Sequence, residues 1–402
     1  MFKDVEPLFS KSANRMRRSA IRELLKLTQK PDIISFAGGL PAPETFPTKE
    51  LKAIIDGVMD NEAALALQYG ATEGDPLLCS LLIERYRKQG LAVEANNFLI
   101  TTASQQALDL IPKIFINEGD KIICGLPSYL GALQAFSNYG AELIGIPLDD
   151  KGMRADLLAE KLKELKAAGT KPKFIYCIPD FQNPAGITMP KSRRLEIIKV
   201  AQEYDILIVE DSPYREIRFA GEPQPTIYQL ADEGRVALLG TFSKTFAPGF
   251  RIGWVIAHPQ IIDKLVMAKQ ATDLCTPPFV QRIAARYMEQ GYYDKFLGGI
   301  VDNYKAKRDG MIEAFKKYMP QGVTWTEPEG GLFLFMTLPE YMDAEELFKI
   351  AIEEKVAFVL GTTFHCDGSG KNTLRINFSY MSKEKNEEGV KRLANAIKRL
   401  IK

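Results

Sequence analysis

Short apolar runs recur along the chain: Phe98–Thr101, Lys121–Cys124, Glu142–Pro147, Phe174–Ile178, Ile206–Glu210, Val236–Gly240 and Gly253–Ala257. They are rich in Ile, Leu and Val and do not alternate with polar residues, the pattern of strands covered on both faces. Between them lie stretches of helical spacing. In Pro190–Tyr204, for example, Leu195, Ile198 and Ala201 or Gln202 mark one face. Strand–helix alternation predicts an α/β fold with a mostly parallel sheet and right-handed crossovers. Such a sheet holds its ligand at the carboxyl ends of its strands. Beyond Gly291 the pattern changes. A long helical stretch through Lys317 leads to strands around Gly331–Leu338, Ala357–Leu360 and Leu374–Phe378. A final amphipathic helix from Lys383 to Ile401 carries Val390, Leu393, Ala394, Ile397 and Leu400 on one face. We therefore expect a large domain over 46–290 and a smaller α+β domain from 1–45 plus 291–402, with the first 45 residues packing on the smaller one.

The chain's 402 residues suit more than one domain-sized unit. Lys+Arg number 52 and Asp+Glu 51, so the net charge of +1 supplies no long-range field for nucleic acid or acidic membranes. The longest apolar stretches, such as GLFLFMTL from Gly331, fall far short of the ~20 residues of a membrane span. The opening MFKDVEPLFS lacks the apolar run of about 7–15 residues of a signal peptide, so a cytoplasmic location is expected. Five scattered cysteines without a CxxC pair point to reduced thiols rather than disulfides or a metal site. With only His258 and His365 present, acid–base work falls to another side chain or to a cofactor. The basic amphipathic stretch Lys11–Lys26, with Arg15, Arg17, Arg18 and Arg22 opposite Met16, Ala20, Leu24 and Leu27, reads as a surface helix docked by its apolar stripe.

Candidate chemistry gathers where apolar runs end. In TFSKTFAPGFRIGW, Thr241 to Trp254, Lys244 stands in a hydroxyl-rich turn between two buried-type strands. Most lysines are solvated surface charges. One placed here loses water and lies near Arg251, which lowers its pKa and makes the amine a nucleophile able to form a Schiff base. Thr241, Ser243 and Arg251 suit a phosphate: hydroxyl donors and a planar fork. In DILIVEDSPY a strand delivers Asp211, with Tyr214 three residues on. Aspartate after a strand commonly caps a turn. The functional alternative is a carboxylate facing a pyridinium nitrogen. An ion pair at ~4 Å gives about 1 kcal/mol in water but about 4 kcal/mol at an effective dielectric near 20. The larger figure equals roughly three pKa units, enough to keep such a ring protonated.

FIYCIPDFQNPAG ends in a polar turn where Asn183 offers an amide to a ring oxygen, with Tyr214 as a second donor. Ordinary turn chemistry explains the same residues. TTASQQALDL places Ser104 as a helix N-cap and Gln105 in the first turn, where free N–H groups favour a phosphate by about 0.3–1 kcal/mol. Pro112 should kink or shorten that helix. GLPSYLGAL puts Tyr129 where its ring can stack on a flat heterocycle. Each signal alone is more often structural, but one ligand satisfies all of them: pyridoxal 5′-phosphate.

With these segments in view, the chain resembles the fold-type I, class I/II aminotransferases, most closely the 2-aminoadipate and kynurenine/2-aminoadipate subgroup. The likeness runs from SAIRELLKL and SFAGGLPAPETFP to TLRINFS, and SKxxxPGxRxGW and QNPxG around Asp211 are its specific motifs. The resemblance implies that Lys244 is the Schiff-base lysine, that Asp211 pairs with the ring nitrogen, and that Asn183 and Tyr214 bind the ring oxygen. Tyr129 then stacks, and Ser104, Gln105, Ser243 and Arg251 form the phosphate cup. Arg375 in TLRINF matches the arginine gripping the substrate carboxylate, and Gly39 a backbone contact to that carboxylate. Tyr69 matches a tyrosine reaching the partner subunit's cofactor, so a homodimer is implied. Arg22 matches a position that binds a distal acidic group in some relatives. Ala185 departs from the threonine common in the family. The implied activity is transfer of an amino group from an L-amino acid (2-aminoadipate, aromatic, branched or glutamate type) to a 2-oxo acid such as 2-oxoglutarate. A lyase or decarboxylase using the same cofactor, and a ligand-sensing domain of aminotransferase type, are the alternatives.

Overall fold

The computed structural model describes residues 4–18, 32–231 and 234–401. A short strand β1 (Ile34–Ser35) precedes eight strands that form one sheet. These are β2 (Phe98–Thr101), β3 (Lys121–Leu126), β4 (Glu142–Asp149), β5 (Gly152–Met153), β6 (Phe174–Cys177), β7 (Leu207–Asp211), β8 (Val236–Thr241) and β9 (Gly253–Ile256). Their order is β2-β9-β8-β7-β6-β3-β4-β5. The central run β8-β7-β6-β3-β4 is parallel, and β9 and β5 run against their neighbours. The connection 242–252 contains only a 3₁₀ turn, Pro248–Phe250, and no crossover helix, so β9 returns antiparallel to β8.

Successive residues of the central strands enter different core clusters. Leu207 and Val209 belong to one, Ile208 to another; Tyr176 belongs to the first, Ile175 and Cys177 to the second. Both faces of the sheet are therefore dry, which is why these strands read as continuous apolar runs. A second sheet is formed by β10 (Thr324–Trp325), β11 (Phe333–Thr337), β13 (Val359–Leu360) and β14 (Thr373–Asn377), all antiparallel in the order β10-β11-β14-β13. Between β11 and β13, β12 (Val356–Ala357) pairs instead with β1. The cluster that lines one face of the large sheet continues through Leu334, Met336 and Ile376 of the small one to Leu393 and Ile397.

Several expectations change in detail. The face of helix Lys191–Glu203 that is buried consists of Arg194, Ile197, Ile198 and Ala201, while Leu195 is exposed. The early residues divide their packing. Residues 33–37 lie on the C-terminal part through the β1–β12 pair, but helix Lys11–Arg15 docks on helix Leu130–Asn138, with Ser12 Oγ donating to Asn138 O and Arg15 paired with Glu118. That helix ends at Arg15, with Met16 extended and exposed, and residues 19–31 of the expected basic helix lie outside the described residues. Helix Ala103–Phe115 continues past Pro112 and stops three residues later. Near the end of the chain, Gly389 lets helix Lys383–Lys398 approach β1 closely; a Cβ there would overlap Ile34 and the ring of Phe36. No helix among the described residues is long and apolar enough to cross a membrane.

Candidate active site

The carboxyl ends of β2, β3, β6, β7 and β8 open on the same edge of the large sheet, because β9 reverses between β8 and β2. Asp211 is the last residue of β7, and Lys244 follows three residues after the end of β8. Ser243 is held in the turn by Thr241, whose hydroxyl lies 2.9 Å from that of Ser243 and accepts from the Ser243 N–H. Arg251, left-handed at φ 53°, ends the 3₁₀ turn and donates to Pro248 O. Across the β9–β2 pair, Gly253 lies so close to Ala103 and Ser104 that a Cβ would overlap their backbone. The hydroxyl turn and the start of helix Ala103–Phe115 are thus neighbours. Thr102, not Ser104, occupies the N-cap position, which puts Ser104 inside the first turn with its N–H among the groups a helix leaves free. Gln105 accepts from the Tyr129 hydroxyl at 3.2 Å and donates to Gly131 O.

Charge in this pocket is managed by burial. The Lys244 amine donates to Gly39 O at 2.8 Å. Loss of water, then Arg375 and Arg251, push its pKa down to about 8. Asp211 is fully enclosed. Burial lifts its carboxyl to about 7 and outweighs the opposing hydrogen bond from the Tyr176 hydroxyl to Oδ2, 2.8 Å. Its Oδ1 is buried without a hydrogen-bond partner among the described residues. A buried carboxylate oxygen left in this way costs free energy that a protonated ring nitrogen would recover. The residues present therefore fit pyridoxal 5′-phosphate: an amine, a ring-nitrogen acceptor, ring-oxygen donors and an anion cup share one sheet edge.

Arg375, on β14, reaches into the same place from the small sheet. It is 1% exposed and its pKa is pushed down to about 10 by burial. It donates to Asn183 Oδ1 at 3.0 Å and Ala37 O at 2.7 Å, and Asn183 in turn donates to Tyr214 Oη at 3.3 Å. Its guanidinium lies 4.2 Å from the ring centre of Phe333 and 5.1 Å from that of Phe364. Such stacking gives about 0.5–2 kcal/mol each, less than the several kcal/mol it costs to bury a charge among neutral partners. An incoming carboxylate would close that gap with a bidentate pair.

Of the expected site residues, the structure joins Lys244 to Gly39, Arg375 to Asn183 and Asn183 to Tyr214 through direct contacts, places Asp211 at the end of the neighbouring strand, and sets Tyr129, Ser104, Gln105, Ser243 and Arg251 around them. Tyr69 stands apart, 79% exposed on the loop after helix Thr48–Ala66. Arg22 lies outside the described residues. Four participants were missed in the sequence: Tyr176, Ala37, Phe333 and Phe364. A hydroxyl inside the otherwise apolar run FIYC was the available signal for Tyr176; Phe333 is placed by strand pairing, and Ala37 and Phe364 by long-range packing, none of which a local window contains. Two more, Asp180 and Arg194, form a buried ion pair at 2.7 Å behind the loop that carries Asn183.

Residues 33–393 match the family model of aminotransferase class I and II. The aromatic-amino-acid aminotransferase 1 of Thermococcus litoralis is 50% identical over 99% of this chain and 96% of its own length. The 2-aminoadipate transaminase of Thermus thermophilus is 41% identical over 98% of this chain and 97% of its own. Among solved structures, a Pyrococcus horikoshii kynurenine aminotransferase in complex with PMP superposes with a TM-score of 0.96 at 49% identity, covering 99% of both chains. The chain belongs to the class I and II aminotransferases.

Proposed function

We propose that this aminotransferase carries pyridoxal 5′-phosphate on Lys244 and moves amino groups from aromatic and 2-aminoadipate-type L-amino acids to 2-oxo acids such as 2-oxoglutarate. The observation that carries the reading is the buried Oδ1 of Asp211, without a hydrogen-bond partner among the described residues, at the sheet edge that also bears Lys244. Bound there, the cofactor supplies an electron sink for the substrate's Cα electrons. Asp211 would hold its ring nitrogen protonated, Asn183 and Tyr214 its ring oxygen, Tyr129 its ring face, and Ser104, Gln105, Ser243 and Arg251 its phosphate.

Arg375 orients the substrate α-carboxylate, with Gly39 beside it. The Lys244 amine, its pKa pushed down to about 8, would take up and give back the proton at the substrate's Cα. A positioned acid–base group of this kind contributes about 10²–10⁴-fold. The donor range is supported by the names of the relatives, aromatic amino acid, 2-aminoadipate and kynurenine aminotransferases. Arg22 is the candidate for a distal acidic group on the substrate. We further propose a cytoplasmic homodimer in which Tyr69 completes the other subunit's cup, and a site lying between residues 46–290 and the unit formed by 1–45 plus 291–402. The free cysteines among the described residues suit a reducing compartment.

Lys244→Ala should bind the cofactor without covalent attachment and abolish turnover. Borohydride should fix the cofactor to residue 244 of the unaltered chain, read by peptide mass, and a panel of donors against 2-oxoglutarate should give oxo acids without ammonia or carbon dioxide. Undiminished turnover by the Lys244→Ala variant would refute the assignment.

A further inference from the structure

We propose that Tyr176 is a positioning residue for the candidate cofactor site, its hydroxyl holding one oxygen of Asp211 so that the other faces the ring nitrogen as an ionised acceptor. The geometry follows from the sheet. Tyr176 on β6 pairs in register with Val209 on β7. Alternation along β7 places Asp211 on the same face as Val209, so a side chain as long as tyrosine reaches it diagonally. The Tyr176 hydroxyl donates to Asp211 Oδ2 at 2.8 Å, and Tyr176 is fully buried. Its ring is fixed edge-on by Phe136 at 5.3 Å.

Two demands meet at Asp211. Burial favours the neutral acid, and among the described residues the Tyr176 hydroxyl is the interaction that favours the charge. Among the described residues, the phenols of Tyr129 and Tyr214 also act on Tyr176, and both, as anions, would oppose its ionisation. Tyr176 therefore stays a protonated donor, since burial and Asp211 both raise its pKa. Removing the donor makes the carboxylate more basic. A proton shared between Asp211 and a ring nitrogen then shifts toward the carboxylate, by about ten- to a hundredfold for one hydrogen bond to a charged group. The ring would lose positive charge, and with it its capacity to take up the substrate's electrons.

The inference rests on the proposed cofactor reading, and the experiment separates the two. The unaltered chain and the Tyr176→Phe variant are loaded with pyridoxal 5′-phosphate labelled with ¹⁵N in the ring and checked for borohydride fixation at Lys244. Failure of fixation in the unaltered chain would defeat the cofactor reading itself. With fixation intact in both, the ¹⁵N resonance of the variant is expected to move from the pyridinium toward the neutral pyridine position. An unchanged resonance overturns the role of Tyr176 and leaves the cofactor reading standing. Should the variant fail to load, 3-fluorotyrosine placed at position 176 decides. That phenol is a stronger acid and a better donor, so the resonance should move further toward pyridinium; an unmoved signal again overturns the proposal.

Discussion

Burial and two guanidinium groups act on the Lys244 amine in one direction, whereas Asp211, one strand away, is lifted by burial against a single opposing hydrogen bond. The sign at Lys244 has a kinetic consequence. A neutral amine is the nucleophile, so capture of pyridoxal 5′-phosphate by the cofactor-free protein should quicken as pH rises through about 8 and level off above it. Arg375→Leu removes a neighbouring positive charge, which makes the ammonium easier to hold, so the inflection should move to higher pH. Stopped-flow absorbance across a pH series measures both profiles, and a coincident inflection in the two proteins would contradict the electrostatic account. Lys244 and Asp211 could be picked from the sequence because each follows an apolar run with a charge, whereas Arg375 was reached only through the family resemblance. Their ionisation could not, since it depends on Tyr176, Gly39 and the enclosing walls.

At the scale of elements, the loop after β6 illustrates what local pattern conveys and what it omits. The apolar run Phe174–Cys177 and the Asn183-Pro184 turn were readable; the direction of β9 was not, because direction is decided by the connection that precedes it. On helix Lys191–Glu203, Ile198 and Ala201 were readable as buried, but the rest of the inward face was not. Leu195 looked like the inward residue, yet Arg194 is the one enclosed, since it finds Asp180 and the carbonyls of Pro179, Met189 and Pro225. A charge can be buried only where distant loops supply its partners, and no window of helical spacing reports them. Those bonds fasten both ends of the loop 179–189 that presents Asn183. Asp180→Ala should therefore destabilise the protein by about 3–5 kcal/mol, the cost of taking from a buried guanidinium the carboxylate it is hydrogen-bonded to and leaving it only Glu210 at 3.9 Å. Thermal unfolding of the cofactor-free protein would register this as a clear fall in melting temperature, and an unchanged midpoint would show the pair to be dispensable.

For the whole molecule, the mostly parallel sheet and a second group of strands beyond Gly291 were legible, because one is built of uniformly apolar runs and the other follows a visible change of pattern; the antiparallel pairing of that second group was not. The way the chain's beginning divides between them was not. The proposed dimer makes a specific prediction about Tyr69, which is exposed in the single chain. Lys244→Ala and Tyr69→Phe chains should each be defective alone. Dissociated and reassociated together, they should regain turnover, since a mixed dimer contains one site with an intact lysine and an intact tyrosine from opposite chains. Absence of recovery in mixed dimers verified by mass would place Tyr69 outside its neighbour's site. Finally, the bare backbone at Gly389 links remote parts of the fold. A methyl group at 389 would act as a wedge, prising Phe36 from its seat and tilting the adjoining Ala37 carbonyl off Arg375. If Arg375 receives the substrate as proposed, the chain's last helix sets how squarely it does so.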